Sequence, residues 1–189
     1  MLSDDARSTT CGRIIAAADE LFSKDGVRAT AVESVMRRAG VTDAEFAAVF
    51  NGKDDLVAAW LDERDRTWMA WLDERVRSLA PSPGGRVLAL FDALAEWFGS
   101  DEFRGSAFIN TAIEYPDPAH RIRIACRAHK VAFRRYIRQL LLDAHVASAE
   151  RLAAEIELLA GGAITAAVVE DDGTAARVAR AAAAKLLPP

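Results

Sequence analysis

Residues 13–57 read RIIAAADELFSKDGVRATAVESVMRRAGVTDAEFAAVFNGKDDLV, and this stretch decides the fold. Ile14, Ile15, Ala18, Leu21 and Phe22 recur at helical spacing and form one apolar stripe. Gly26 supplies a C-terminal stop. Thr30 then reads as the start of a second helix, with Glu33 three residues on as its capping-box partner. Gly40 ends that helix. Thr42 starts a third, again with a glutamate, Glu45, three residues on. Two short helices joined by Ala39-Gly40-Val41-Thr42 have the layout of a helix-turn-helix. In such a unit the first helix braces against the DNA backbone and the second offers its N-terminal residues to base edges.

Outward from this stretch the helical period continues and strand signals are nearly absent. Val57, Leu61, Trp68, Leu72, Val76 and Leu79 mark one helix from about 53 to 79, broken by Pro81-Ser82-Pro83-Gly84-Gly85. Val87, Leu90, Phe91, Leu94 and Phe98 mark the next, closing near Gly99. A shorter helix is expected from Phe103 to Tyr115, with Gly105 near its start. Asp117 and Pro118 suit the N-cap and first position of a long helix carrying Ile122, Cys126, His129, Phe133, Ile137 and Leu140. An alanine-rich pair follows, separated by an expected solvated turn at Glu170-Asp171-Asp172-Gly173. The expectation is an all-α protein of about nine helices.

The chain has 189 residues, 51% of them hydrophobic, enough for one substantial core or two small helical domains. Its formal net charge of -4 gives no global basic field. Cys11 and Cys126 stand far apart with no metal or CxxC spacing, which suits a reducing cytoplasm. His120, His129 and His145 also lack metal spacing, so neither a metal nor a cofactor is expected. No signal segment and no long uncharged apolar run is seen, so the protein is expected to be cytoplasmic and independent of membranes. No phosphate loop, nucleophile elbow or His/Cys/Asp constellation points to an enzyme.

The segment resembles the DNA-binding domain of the TetR family of transcriptional regulators. The matching residues are the IIAAADELF run, Gly26, the Thr30–Val35 helix start, Ala39-Gly40-Val41-Thr42, Phe50 and Lys53-Asp54-Asp55-Leu56. The order FRGSAFINTAIEYPDPAH, a long helix and an alanine-rich pair is similar to the C-terminal domain of one branch of that family. The resemblance implies a helix-turn-helix DNA-binding domain over 1–52 and a ligand-binding and dimerisation domain over 53–189. It also implies a double-stranded operator as partner, read by Thr30, Arg37, Arg38, Thr42, Asp43, Ala44, Glu45, Ala47 and Lys53.

Two departures bear on that role. The family's third helix usually carries a phosphate-binding tyrosine where this chain has Ala47, and a serine where it has Gly52. From Gly40 to Phe50 there is no basic residue but two acids, Asp43 and Glu45. An acid can accept from a cytosine amino group, but it also repels phosphate. Up to Lys53 the chain holds seven basic and eight acidic residues, so DNA contacts are expected to be weakened.

The candidate effector chamber is drawn from Trp68, Trp71, Trp97, Phe108, Asn110, Glu114, His129, Phe133 and Tyr136. Ring stripes at this spacing more often serve as core, and a lone histidine such as His129 on an apolar face is more often a hydrogen-bonded core histidine than a ligand contact. Gly161-Gly162 inside a helical pattern indicates a close helix approach, within one chain or between two. The resemblance implies the second: a homodimer through the last two helices, with Leu152, Ile156, Leu159, Ala163, Ile164, Val178 and Ala182 at the interface. Two functions remain open. One is a regulator, a repressor released from its operator by a small apolar or amphipathic effector. The other is a diverged relative that has lost operator binding and acts as a ligand-binding or heterodimerising protein.

Overall fold

Nine helices form among the described residues: α1 (Asp4–Asp25), α2 (Val32–Ala39), α3 (Asp43–Ala47), α4 (Lys53–Leu79), α5 (Pro83–Phe98), α6 (Ala107–Glu114), α7 (Arg121–Asp143), α8 (Ala149–Glu170) and α9 (Ala175–Leu186). The computed structural model describes residues 4–101, 103–170 and 173–188, and no strand occurs among them. The acidic turn expected after α8 includes Asp171 and Asp172, which lie outside the described residues.

Two compact units result. The first takes the chain up to Asp65 together with Ala107–Arg127; the second takes Arg66–Ser106 together with Ala128 onward. This division differs from a boundary at residue 52, because the first turns of α4, all of α6 and the start of α7 share the core of the helix-turn-helix. That core holds Ile14, Ala18, Phe22, Val35, Phe46, Leu56, Trp60, Phe108 and Ile122. Trp60 is its largest member: its ring meets Phe22 edge-on at 5.1 Å, and its indole N–H donates to Asp19 Oδ1 at 2.7 Å. Burying a side chain of this size contributes on the order of 3 kcal/mol, and the bond to Asp19 spares the ring an unpaired donor.

In the second unit α5 packs against α8 and α9. Leu90, Phe91 and Leu94 are buried with Ile156, Ala160 and Ala163 of α8 and with Ala176, Ala179 and Ala183 of α9. The alanine stripe on α9 lets it approach closely without cost in side-chain entropy. Within the α8 core, Glu157 is 1% exposed and is paired with Lys130 and with Arg134 at 2.8 Å. Burial pushes this carboxyl up; the hydrogen bonds and charges of Lys130 and Arg134 outweigh it, so the net shift is downward. A side chain at Gly161 would meet Lys130 Nζ at 3.5 Å, whereas Gly162 is exposed with nothing within 4 Å. By length and composition α8 is apolar enough to cross a membrane, but many of its apolar residues are buried in this core.

Three element boundaries differ from those expected. Thr30 does not cap α2. It is buried and donates to the Gly26 carbonyl at 2.8 Å, and α2 starts at Val32 after Ala31, with no side-chain cap. Gly105 lies outside α6, with φ 80, so that helix waits until Ala107. Asp117 and Pro118 form a turn rather than a helix start: Asp117 Oδ1 accepts from the Ala119 N–H at 2.9 Å. The cap of α7 is His120, whose Nδ1 accepts from the Ile122 N–H at 3.3 Å.

Candidate nucleic-acid interface

The turn between α2 and α3 is over-determined. Gly40 adopts φ 64, which a glycine takes without strain. Its N–H donates to the Arg37 carbonyl at 3.3 Å and the Val41 N–H to the Met36 carbonyl at 3.1 Å. These two bonds make a Schellman motif, and its hydrophobic pair, Val41 and Met36, packs against the apolar core. Arg13 on α1 reaches across to the same turn, donating to the Ala39 carbonyl at 2.6 Å and to the Gly40 carbonyl at 2.5 Å.

The third helix starts on a complete capping box. Thr42 Oγ1 accepts from the Glu45 N–H at 3.3 Å, and Glu45 Oε2 accepts from the Thr42 N–H at 2.8 Å. The Thr42 hydroxyl also donates to Glu45 Oε2 at 2.8 Å. The Thr42 backbone bond first, then its hydroxyl, hold the Glu45 carboxyl below the ordinary glutamate range. Phe46 is buried against Phe50, 5.6 Å away, and anchors the inner face. The outer face is left with Thr42, Asp43, Ala44 and Ala47, all exposed.

The basic residues flank this face. Arg37 and Arg38 are exposed on the last turn of α2. Arg37 donates to Ser34 at 3.2 Å; Arg38 pairs with Glu20 at 2.5 Å. Both line a cleft of about 530 Å³ with Leu21, Asp25 and Ser34. Lys53, at the start of α4, donates to the Arg28 carbonyl at 3.1 Å, and burial lowers its ammonium below the ordinary lysine range. One of its three donors is thereby engaged inside the protein.

Two members of the expected DNA-reading set have partners inside the protein. Thr30 is turned inward, and Glu45 Oε2 is committed to the cap rather than offered to a cytosine. Arg13, absent from that set, also braces the reader. Its partners lie 26 and 27 residues away, so no local signal betrays it.

The expected chamber residues divide between the units. Trp68 sits among Trp97, His129 and Phe133, with ring centroids 5.6, 5.6 and 5.5 Å away, and Trp97 continues to Phe103 at 4.9 Å. Trp71 and Tyr136 are half-buried beside the same core. Phe108, Asn110 and Glu114 belong to the first unit instead, because α6 packs there. Phe108 is core and Asn110 is exposed. The Glu114 carboxylate accepts from the Val27 N–H at 3.1 Å and the Arg28 N–H at 2.5 Å.

The expected interface set is likewise split. Leu152, Ile156, Ala163 and Ile164 are buried in the subunit's own core, while Leu159 and Ala182 are half-buried. Val178 is 68% exposed, and Leu158 and Val169 of α8 are 69% and 77% exposed. The helical period holds, but the open apolar face is the adjacent one, since α5 covers the stripe that the sequence offers first.

Comparison with known proteins bears on this geometry. Residues 14–60 match the sequence profile described as bacterial regulatory proteins, tetR family. A search of curated proteins found no match. The fold is similar to a TetR-family transcriptional regulator from Streptomyces coelicolor, with 28% identity and a TM-score of 0.85 over 95% of this chain and 94% of that one. It is similar to a putative regulator from Streptomyces avermitilis, with 26% identity and a TM-score of 0.76 over 93% and 98%. A regulator from Chloroflexus aurantiacus, 23% identical, shares the fold at a TM-score of 0.79 over 95% and 94%. With a capped helix-turn-helix inside the matched segment and a similar fold across nearly the whole chain, the protein is similar to the TetR family of DNA-binding transcriptional regulators in that segment's sequence and in its fold.

Proposed function

We propose that the protein is a homodimeric repressor that leaves its operator when a small apolar or amphipathic effector binds the second unit. The observation that carries the DNA-reading part is the intact frame of the reader: Schellman turn, capping box and the Arg13 brace all hold α3 in one pose. A helix of five residues has no stability of its own. Such investment in its placement supports a surface that is used. Arg37, Arg38 and Lys53 are the candidates for phosphate contacts. Thr42, Asp43, Ala44 and Ala47 are the candidates for base edges, with Asp43 able to accept from a cytosine amino group.

The aromatic group around Trp68 supports the effector part. The Trp68 indole N–H is buried without an acceptor among the described residues. A buried unpaired donor costs about 1–3 kcal/mol, which an effector's acceptor would offset. The effector shifts the equilibrium only by its preference for one state, and α4, which contributes to both units, is the element proposed to move. Exposed Leu158, Val168, Val169 and Val178, with Gly162 open beside them, support dimerisation through α8 and α9. A dimer presents two readers to a palindrome, acting on the chromosome in the cytoplasm.

The test is retention of fragmented genomic DNA at low and physiological salt, with sequencing of what is held. Enrichment of one palindromic site at physiological salt is expected. The lack of any cation on the outer face of α3 favours a second reading, a family member without operator binding. No enrichment at either salt, from a folded dimer, selects that reading. In that case Asp43→Lys with Ala47→Tyr should raise DNA affinity, and the dependence of log affinity on log salt should steepen by about 1 for each additional phosphate that the variant neutralises.

A further inference from the structure

Glu114 stands far from the reader in sequence, yet its carboxylate is seated at the loop from which α2 departs. That loop leaves α1 at Gly26, with φ +83, and the Gly26 N–H completes the last α1 bond to the Phe22 carbonyl at 3.0 Å. A β-carbon at Gly26 would lie 3.2 Å from Glu114 Oε1, so both the positive φ and the approach of the carboxylate call for glycine here. The next two amides, Val27 and Arg28, donate to the two carboxylate oxygens, Oε1 and Oε2 respectively. Val27 is 1% exposed, so its N–H has little access to water. Two residues on, the Thr30 hydroxyl ties the Gly26 carbonyl from the other side.

The element that carries Glu114 is itself held to the start of α4. Asp55 accepts from Arg121 at 2.5 Å and from the Asn51 side chain at 2.7 Å. Asp54 lies 3.3 Å from His120 Nε2, and the His120 ring packs at a tilt against Tyr115, 4.8 Å between ring centres. Arg123 donates to the Ala112 carbonyl. The segment 107–127 is thus a fixed mount within the first unit, and Glu114 is its contact with the loop that launches the two reader helices.

We propose that Glu114 is a positioning residue for DNA reading: its carboxylate sets where α2 begins, and through the Gly40 turn it sets the pose of α3, without touching DNA itself. This rests on the DNA-reading function proposed above. Loss of the carboxylate leaves two amides unpaired, one of them buried. Loss of a charge-assisted bond corresponds to roughly a ten- to hundredfold change in the local opening equilibrium.

The test compares full-length wild type, Glu114→Gln and Glu114→Ala. Hydrogen exchange without DNA is expected to speed up by that factor at Val27 and Arg28 in Glu114→Ala, and to speed up also across α2 and α3. Glu114→Gln, which keeps one carbonyl acceptor, should restore part of the protection. On the operator found for the wild type, affinity should fall in the order wild type, Gln, Ala, with an unchanged salt slope, because no phosphate contact is lost. Wild-type exchange across α2 and α3 in Glu114→Ala overturns the proposal, as does a salt slope that falls with the carboxylate. If the wild type retains no DNA, the functional reading has failed and the exchange result alone decides whether Glu114 holds the reader helices.

Discussion

The capping box on α3 allows a prediction whose size follows from its bonds. Thr42→Ala removes the oxygen that accepts from the Glu45 N–H at 3.3 Å and donates to Glu45 Oε2 at 2.8 Å. The bond from the Thr42 N–H to Glu45 Oε2 is retained. Replacing a threonine N-cap by alanine costs about 1 kcal/mol, within a range of roughly 0.5–2. For a chain of this length that lowers the melting midpoint by about 2–4 °C at fixed protein concentration. The local effect should be larger than the global one. A helix of five residues, Asp43–Ala47, depends on its cap and on Phe46, so exchange at the Glu45 amide should rise about fivefold. Both measurements are made without DNA, so loss of a base contact cannot imitate loss of the cap. Thr42→Ser should recover most of the difference, since serine caps as well as threonine. If Thr42→Ala matches the wild type in melting and in Glu45 exchange, the box does not hold the reader and the reasoning fails.

Three further outcomes are expected. The Glu45 and Asp55 carboxyls are held below their ordinary ranges, Glu45 by Thr42 and Asp55 by Asn51 and then Arg121. Their stabilisation is therefore complete above the unfolded carboxylate range and fades as pH falls through the lower folded values, so the urea-midpoint gaps separating Glu45→Gln and Asp55→Asn from wild type should close between about pH 5 and pH 2. Burial pushes the Cys126 thiol up to about 11, so at pH 8 its modification in the native protein should run on the order of a hundredfold slower than that of a free thiol and recover in denaturant. Leu158→Glu with Val169→Glu should give monomers in sedimentation velocity with unchanged helical content; a persisting dimer would place the interface elsewhere.

The fold was legible because it is written locally. Ile14, Ala18 and Phe22 mark α1 by period; Gly40 and Thr42 mark the turn and cap by residue type, and both occur as read. Thr30 misled because a threonine three residues before a glutamate satisfies the capping pattern whether or not its hydroxyl faces the helix; here it faces the Gly26 carbonyl. The role of Glu114 was hidden for another reason. Its partners lie 86 and 87 residues away, and a carboxylate near an apolar stripe carries no mark of which backbone it will meet. The expected interface residues fall partly inside the subunit because helical period identifies an apolar face but not whether its own chain covers it. On α8 two apolar faces compete, and α5 takes the one with Ile156 and Ala160.

The placement of tryptophan gives the molecule a built-in optical readout. Of its four indoles, Trp60 alone lies in the unit of the reader, while Trp68, Trp71 and Trp97 lie in the other. Trp60 is 2% exposed and bonded to Asp19, so its emission should be blue-shifted and should report opening of the reader. Trp68 lies edge-on to His129, 5.6 Å between ring centres, so its emission should report the packing of the second unit. Replacing Trp60 by phenylalanine should leave a protein whose fluorescence follows the second unit alone. Subtracting that signal from the wild type's isolates the reader in solution, with no dye attached.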